Sequence, residues 1–479
     1  MLVCYMPLAT GSLRSRGRRG AINKPPTREN IMADEDEEQA TALAAPLLED
    51  ATEAPVNEAP EQSAAEAPEQ TPEEPDEGRS TILGVGINLA NAIVGSGIVG
   101  LPAALKDAGL GLGCFLLIGM AFTVHVVVVA LVRDAELLKA TCYGGLAKAA
   151  LGSLGEVLVC GGQFVFDVGA ALTYLIIFGD TAVSSVEFFV AKPCKHLRLI
   201  CVAGAGLAAL PPCLLRDVSG LEGISLLSVA AVFAATGVVI SELCTRGQKG
   251  TLAITAPENE GRGVVAALGL FAFAFVCQDS CFLYYRSLKQ RTPSRFSKST
   301  GLALGSSALL CVLFSAAGYL TYGSQTSSNI LNDYPIHDVR ALIARLLYAI
   351  TMVFGIPSSV FVCRQAGHAL HRAASPKYRD ASVEDVRLVS TRTHGMWSLG
   401  LWASLVGVAL STDSLGAVMA LTGAVAGSLI GFILPGLIFS SPVVLAAREK
   451  PRVVWRRVVS FVLVSFGLAL VGLSFAAVS

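Results

Sequence analysis

Charge is what this chain has little of. Asp, Glu, Lys and Arg make up 15% of its 479 residues, where soluble domains carry roughly a quarter. With 53% hydrophobic residues and a mean hydropathy of +0.60, that deficit points to an all-α polytopic membrane protein. Nothing suggests nucleic-acid binding: the formal net charge is −1 and no basic face stands out. The 12 cysteines are scattered, several (Cys114, Cys160, Cys311) within apolar runs. None forms a Cys-x-x-Cys pair, which argues against a metal centre or a disulfide framework. His-Glu-x-x-His, a P-loop and Gly-x-Ser-x-Gly are all missing, so an enzyme reading finds no support and no cofactor is expected. Asn-x-Ser/Thr is missing too, so glycosylation does not help to assign sides. The first thirty residues are basic but lack a sustained apolar core, so the first span is expected to act as an internal anchor.

What is present divides into a tail and a series of apolar runs. Residues 1–79 read as a disordered, acidic cytoplasmic tail, with Asp34 opening a run of acids that continues as repetitive Glu/Ala/Pro/Gln sequence. Such composition cannot bury enough surface to fold. Residues 80–479 form the membrane domain. Apolar runs of helix-spanning length fall near 81–105, 110–132, 157–179, 198–215, 222–243, 264–285, 300–321, 341–363, 395–412, 416–439 and 454–476. That predicts eleven transmembrane helices. With the tail placed inside, Lys and Arg of the inner loops outnumber those of the outer loops by more than two to one. The positive-inside rule therefore supports a cytoplasmic N-terminus.

Two of these runs are irregular. The first contains Asn88-Leu-Ala-Asn-Ala-Ile-Val-Gly-Ser-Gly-Ile-Val-Gly-Leu101 followed by Pro102. Glycine costs about 1 kcal/mol relative to alanine within a helix, so Gly95, Gly97 and Gly100 invite unwinding. The sixth run carries Phe275-Val-Cys-Gln-Asp-Ser-Cys281 at its middle, and a carboxylate at membrane depth lines a polar cavity or finds a partner. Interruptions at corresponding places in two halves predict a 5+5 inverted repeat, about 81–243 against 264–439, with the helix at 454–476 appended. The binding site is expected where the breaks in helices 1 and 6 face each other.

Several residues are candidates there, each with a plainer alternative. Gly95, Ser96, Gly97 and Ile98 offer backbone N–H groups to a carboxylate; small residues also serve close helix packing. Asn91 and the carbonyl of Val94 could ligate Na⁺, or Asn91 could bond a neighbouring helix. Cys277, Gln278, Asp279 and Ser280 form the opposite wall, with Asp279 placed to carry a proton, pair with an ammonium or anchor a cation. Asp167 is a second proton-relay candidate or a simple interhelical hydrogen-bonding group. Thr351, Ser358 and Ser359, near Pro357, could complete an ion site, or bond their own helix. His368 and His371 read as solvated loop residues.

These residues carry a resemblance. Asn91-Ala-Ile-Val-Gly-Ser-Gly-Ile98 with Gly100-Leu-Pro102 resembles the first helix of the sodium-coupled neutral amino acid transporter family, within the amino acid/auxin permease group that includes fungal vacuolar transporters. Tyr174-Leu-Ile-Ile-Phe-Gly-Asp180 looks like that family's Tyr-Asn-Ile-Ile-x-Gly-Asp segment. Phe273 to Leu288 is similar to its sixth span, and Thr351 to Arg364 to its eighth. The resemblance implies a leucine-transporter-type fold and secondary active transport of amino acids, small and neutral ones, by alternating access with Na⁺ or H⁺ coupling. It places the substrate carboxylate at Gly95–Ile98 and Asn91 in a Na⁺ site. It also implies a plasma membrane or a vacuolar or lysosomal membrane. Two positions depart from the family pattern: Gln278 stands where a histidine is usual, and Gly355 where a Na⁺-binding threonine is common. The second departure removes an oxygen ligand and keeps proton coupling through Asp279 open. A different class, an amino acid sensor signalling through the acidic tail, is the alternative.

Overall fold

The computed structural model describes residues 78, 80–95, 97–190, 192–215, 222–250, 252, 262–374, 391–412, 414–448 and 450–478. The chain divides into two units at Pro72, and every described residue belongs to the second. The tail expected over 1–79 therefore lies outside the described residues, save Gly78.

The described chain is helical. In order the helices are α1 (Ile82–Val94), α2 (Leu101–Ala108), α3 (Leu110–Leu138), α4 (Tyr143–Leu151), α5 (Ser153–Phe189) and α6 (Leu197–Cys213). They continue as α7 (Glu222–Arg246), α8 (Arg262–Phe275), α9 (Cys281–Ser287), α10 (Pro293–Tyr322), α11 (Ile330–Asp333) and α12 (Val339–Ala374). The last are α13 (Thr391–Ser411), α14 (Leu415–Thr422), α15 (Leu434–Phe439), α16 (Pro442–Ala446) and α17 (Lys450–Val478). Among the described residues seven helices are long and apolar enough to cross a membrane, or eight if the bent α1–α2 pair counts as one span. Two more, Leu197–Cys213 and Gly263–Phe275, are apolar but shorter.

Local chemistry sets the ends. Thr81 caps α1 by accepting the N–H of Gly84 at 3.0 Å, which satisfies one of the orphan donors of a helix start. Thr292 does the same for α10 through the N–H of Arg295, with Pro293 in the first turn, where a missing N–H costs nothing. Ser80 lies beside Leu288 in an isolated bridge: its N–H donates to Ser287 at 2.8 Å and its carbonyl accepts from Lys289 at 2.9 Å. The entry to α1 is thus tied to the exit of α9.

Four departures from regular winding matter for the site. Between α1 and α2 the chain bends by 45° and passes through a short 3₁₀ turn, Ile98–Gly100. Between α8 and α9, residues 276–280 leave helical form altogether. Two π-helical segments, Gly423–Gly427 and Leu429–Ile433, separate α14 from α15. A wider turn spoils the regular i→i−4 bonding, and the carbonyls of Ile430 and Gly431 accept the hydroxyl of Tyr143 at 2.8 Å and the amide of Gln278 at 3.3 Å.

Charged groups hold the helix ends. Asp134, with no exposed surface, accepts from Arg448 at 2.8 Å and from Arg456, joining α3 to the start of α17. Glu242 pairs with Arg246 and, at 3.0 Å, with Arg340. Arg364 is buried on α12 and donates to the carbonyls of Cys213 and Leu215, each at 2.8 Å. This corrects one expectation. α12 does not stop near 363 but runs to Ala374, so His368 is buried rather than solvated, edge-on to Trp397 at 5.4 Å. His371 is exposed as expected.

Candidate functional site

The two breaks meet. Gly97, from the α1–α2 break, and Cys277, Asp279 and Ser280, from the α8–α9 break, line one cavity with Asp167 and Tyr174 of α5 and Ser358 and Ser359 of α12. Its volume is about 50 Å³ at water-molecule centres, room for roughly three to five water-sized groups. Ile93, Phe166, Phe273 and Val276 give it a largely apolar wall. A larger hollow of about 350 Å³ opens among Asp180, Glu187, Lys195, Arg198 and Asn332. It lies away from both breaks, and the Asp180–Arg198 pair at 3.5 Å sits within it. The small cavity is the one built on irregular backbone.

Its walls approach closely because glycine permits it. A Cβ at Gly97 would lie 2.7 Å from the Cα of Ala274, so the first break rests directly on α8. Tyr174 occupies a slot between two glycines: a Cβ at Gly95 would lie 2.7 Å from its hydroxyl oxygen, and one at Gly355 would lie 2.6 Å from its ring. Two side-chain amides hold the second break. Gln163 donates to the carbonyl of Asp279 at 2.7 Å. Gln278 accepts the N–H of Cys277 at 3.0 Å and donates to Gly431.

The residues singled out in the sequence divide accordingly. Gly97, Cys277, Asp279, Ser280, Ser358 and Asp167 line the cavity. Gly95, Ile98, Asn91 and Val94 stand beside it but not in its wall; Gly95, Ile98 and Val94 are buried and Asn91 is half-buried. Gln278 turns away to the π segment. Thr351 bonds the carbonyl of Leu347 on its own helix at 3.0 Å. Ser96 lies outside the described residues. Ser359 lines it as well, and Tyr174, Tyr284, Phe166 and Phe273 are wall residues that sequence reading did not nominate. Tyr174 carried a signal in the Tyr-Leu-Ile-Ile-Phe-Gly-Asp segment, and Phe273 and Tyr284 in the segment from Phe273 to Leu288; Phe166 carried none.

Carboxylates dominate the polar side. Asp167 is 4% exposed, and its Oδ2, like Oδ1 of Asp279, is buried without a hydrogen-bond partner among the described residues. Among the described residues no Lys, Arg or His lines the cavity. Among the described residues no cluster of three or more His, Cys, Asp or Glu could hold a metal ion.

A multi-pass helical bundle whose interrupted helices converge on a small central hollow has the leucine-transporter fold. The crystal structure of MhsT in complex with L-phenylalanine shares it, with a TM-score of 0.55 over 84% of this chain and 99% of that one, at 14% identity. The chain belongs to the transmembrane amino acid transporter protein family, which it matches over residues 78–479. It is 29% identical over 370 residues to a Danio rerio protein named "Putative sodium-coupled neutral amino acid transporter 11", covering 76% of this chain and 79% of that one. It is 26% identical over 358 residues to vacuolar amino acid transporter 2 of Saccharomyces cerevisiae, covering 73% and 74% respectively. Both relatives are named as amino acid transporters.

Proposed function

We propose that this chain carries small neutral amino acids across a membrane by alternating access, coupled to H⁺ or Na⁺. The observation that carries the reading is the meeting of two helix breaks at one small hollow in a chain of this family. Backbone N–H groups of the α1–α2 break would hold the substrate carboxylate, where the positive end of the following helical segment favours an anion. Asp279 or Asp167 would receive the ammonium. A cavity of about 50 Å³ with an apolar wall suits an amino acid with a short uncharged side chain.

The full arrangement within this reading is eleven crossings. The bent α1–α2 is the first and the broken α8–α9 the sixth; α3, α5, α6 and α7 supply the second to fifth. α10, α12, α13, the α14–α15 run and α17 supply the rest. Repeats at 81–243 and 264–439 relate by inversion, and the N-terminus faces the cytoplasm, supported by the excess of Lys and Arg in the loops that this places inside. The membrane is the plasma membrane or that of a vacuole or lysosome.

Reconstitution of the purified chain into liposomes tests the core of the reading. Radiolabelled glycine, L-alanine and L-leucine are offered under separate pH and Na⁺ gradients. Gradient-driven accumulation of at least one is expected, with the smaller two favoured. No accumulation of any of them under either gradient refutes it.

A further inference from the structure

We propose that Asp167 and Asp279 form one proton-sharing pair, and that this pair takes up and releases a single H⁺ for each amino acid carried. The inference rests on the transport reading above and names its driving ion.

The pair is a feature of geometry. Asp167 stands on α5 and Asp279 in the break between α8 and α9, and both line the same cavity. Gln163 and Asp167 share a face of α5 at i and i+4. Because Gln163 grips the carbonyl of Asp279 at 2.7 Å, it fixes the break beside Asp167. Each carboxyl then keeps one buried oxygen that nothing in the protein bonds among the described residues. The ionisable groups facing the pair are the phenols of Tyr174 and Tyr284 and the thiols of Cys277, Cys281 and Cys363. None brings a positive charge.

Two negative charges in a hollow walled by Ile93, Phe166, Phe273 and Val276 require a counter-ion. A proton needs only one donor oxygen and one acceptor oxygen, and two bare oxygens supply both. A hard metal cation needs about six oxygens converging on one point, and here they would have to be drawn together from both carboxyls, the hydroxyls of Ser280, Ser358 and Ser359 and the phenols of two tyrosines on separate elements. The step balances simply. On the more acidic side H⁺ joins one carboxylate; the new O–H donates to the other carboxylate, which keeps one negative charge for the substrate ammonium. After the cavity opens to the other side the O–H bond breaks, H⁺ leaves to water, and both carboxylates are restored. No electron moves. The pair bridges two elements, so their relative movement changes the distance between the oxygens and with it the hold on the proton.

The test uses the purified full chain in liposomes loaded with the pH dye pyranine, the potential clamped by valinomycin and equal K⁺. Choline replaces Na⁺, and radiolabelled glycine, L-alanine and L-leucine serve as probes. An inward acid gradient should accumulate a probe with a ceiling of about tenfold per pH unit, the limit for one proton per substrate, while the lumen acidifies in step. A Na⁺ gradient at equal pH should accumulate none. Accumulation driven by Na⁺ without acidification overturns the pair and leaves the transport reading standing; no accumulation under either gradient removes both. Asp167→Asn and Asp279→Asn should each lose acid-driven accumulation and acidification, and retention of both in either variant overturns the sharing. One wild-type measurement needs no variant to fold. Adding the transported probe to protein in unbuffered detergent solution should take up protons, read by an indicator dye, and no uptake between pH 5 and pH 8 overturns the proposal.

Discussion

Gly355→Thr tests whether Tyr174 has taken the volume that a hydroxyl side chain would need in the eighth span. A Cβ at this position would sit 2.6 Å from Cε1 and Cζ of Tyr174 and 2.9 Å from Cδ1. These are ring atoms of a buried side chain, not the loose end of a flexible one. Its hydroxyl end stands close against the α1–α2 break, with the oxygen 2.7 Å from where a Cβ at Gly95 would stand. Pushing it that way drives it into the α1–α2 break. Forcing extra atoms into such a place costs typically about 1–3 kcal/mol. Taken from the substrate-bound state, that is about 5- to 140-fold in affinity. The assays are thermal melting of the purified protein and saturation of labelled L-alanine uptake with and without Na⁺. Both melting temperature and affinity should fall, and Na⁺ should not stimulate uptake. Adding Gly355→Thr to a Tyr174→Ala background should cost far less than adding it to the wild type, since the two positions share one volume. A Gly355→Thr protein that melts and transports like the wild type, or becomes Na⁺-stimulated, refutes the packing argument.

Gly97→Val would place its Cβ 2.7 Å from the Cα of Ala274, where backbone cannot yield as a side-chain end can; loss of measurable probe binding is expected, read by isothermal titration. Gln163→Leu removes the donor to the Asp279 carbonyl and leaves a buried acceptor without a partner, a penalty of about 1–3 kcal/mol. A melting temperature equal to the wild type would show that this hydrogen bond does not hold the break. Asp134→Ala strips the shared carboxylate from Arg448 and Arg456, whose side chains are 18% and 15% exposed. Partial solvation keeps the loss below that for a fully buried pair, at about 1–3 kcal/mol, measurable as a lowered denaturation midpoint.

How far the sequence reveals this arrangement differs residue by residue. The first break is legible because Gly95 and Gly97 lie in a run otherwise rich in Ile, Leu and Val, where nothing but an unwound or closely packed backbone calls for them. The second is legible because Asp279 has no solvent to face at that depth. Tyr174 is not legible as a wall residue from physical pattern alone. An aromatic within an apolar helix reads as packing, and its slot is made by two glycines far from it in sequence. Gln278 misleads for a similar reason: polar residues beside a break are expected to face the cavity, but its amide is drawn to Gly431 by a π turn. That turn carries three glycines, Gly423, Gly427 and Gly431, but no proline or polar run to set it apart from close helix packing. His368 is hidden by the apolar window, which ends at Arg364 although the helix continues. Arg364 can follow it inward because carbonyls at the end of α6 and the hydroxyl of Ser398 accept from its guanidinium.

Those neighbours explain why the breaks can persist in lipid. A helix interrupted within hydrocarbon exposes N–H and C=O groups that water does not reach, so each must be satisfied by protein. At 276–280 the work falls to two glutamines from different directions. Gln163 reaches across from α5 to a carbonyl, and Gln278 folds back on the N–H of Cys277 while holding the α14–α15 run. The π segments complete the exchange, since their displaced carbonyls receive Gln278 and Tyr143. The second break is thus a bonded structure anchored to two neighbouring helical runs rather than a locally melted helix. A displacement of either neighbour must carry the break with it or forfeit a buried hydrogen bond. Motion of the bundle is thereby tied to the shape of the cavity and to the separation of Asp167 from Asp279.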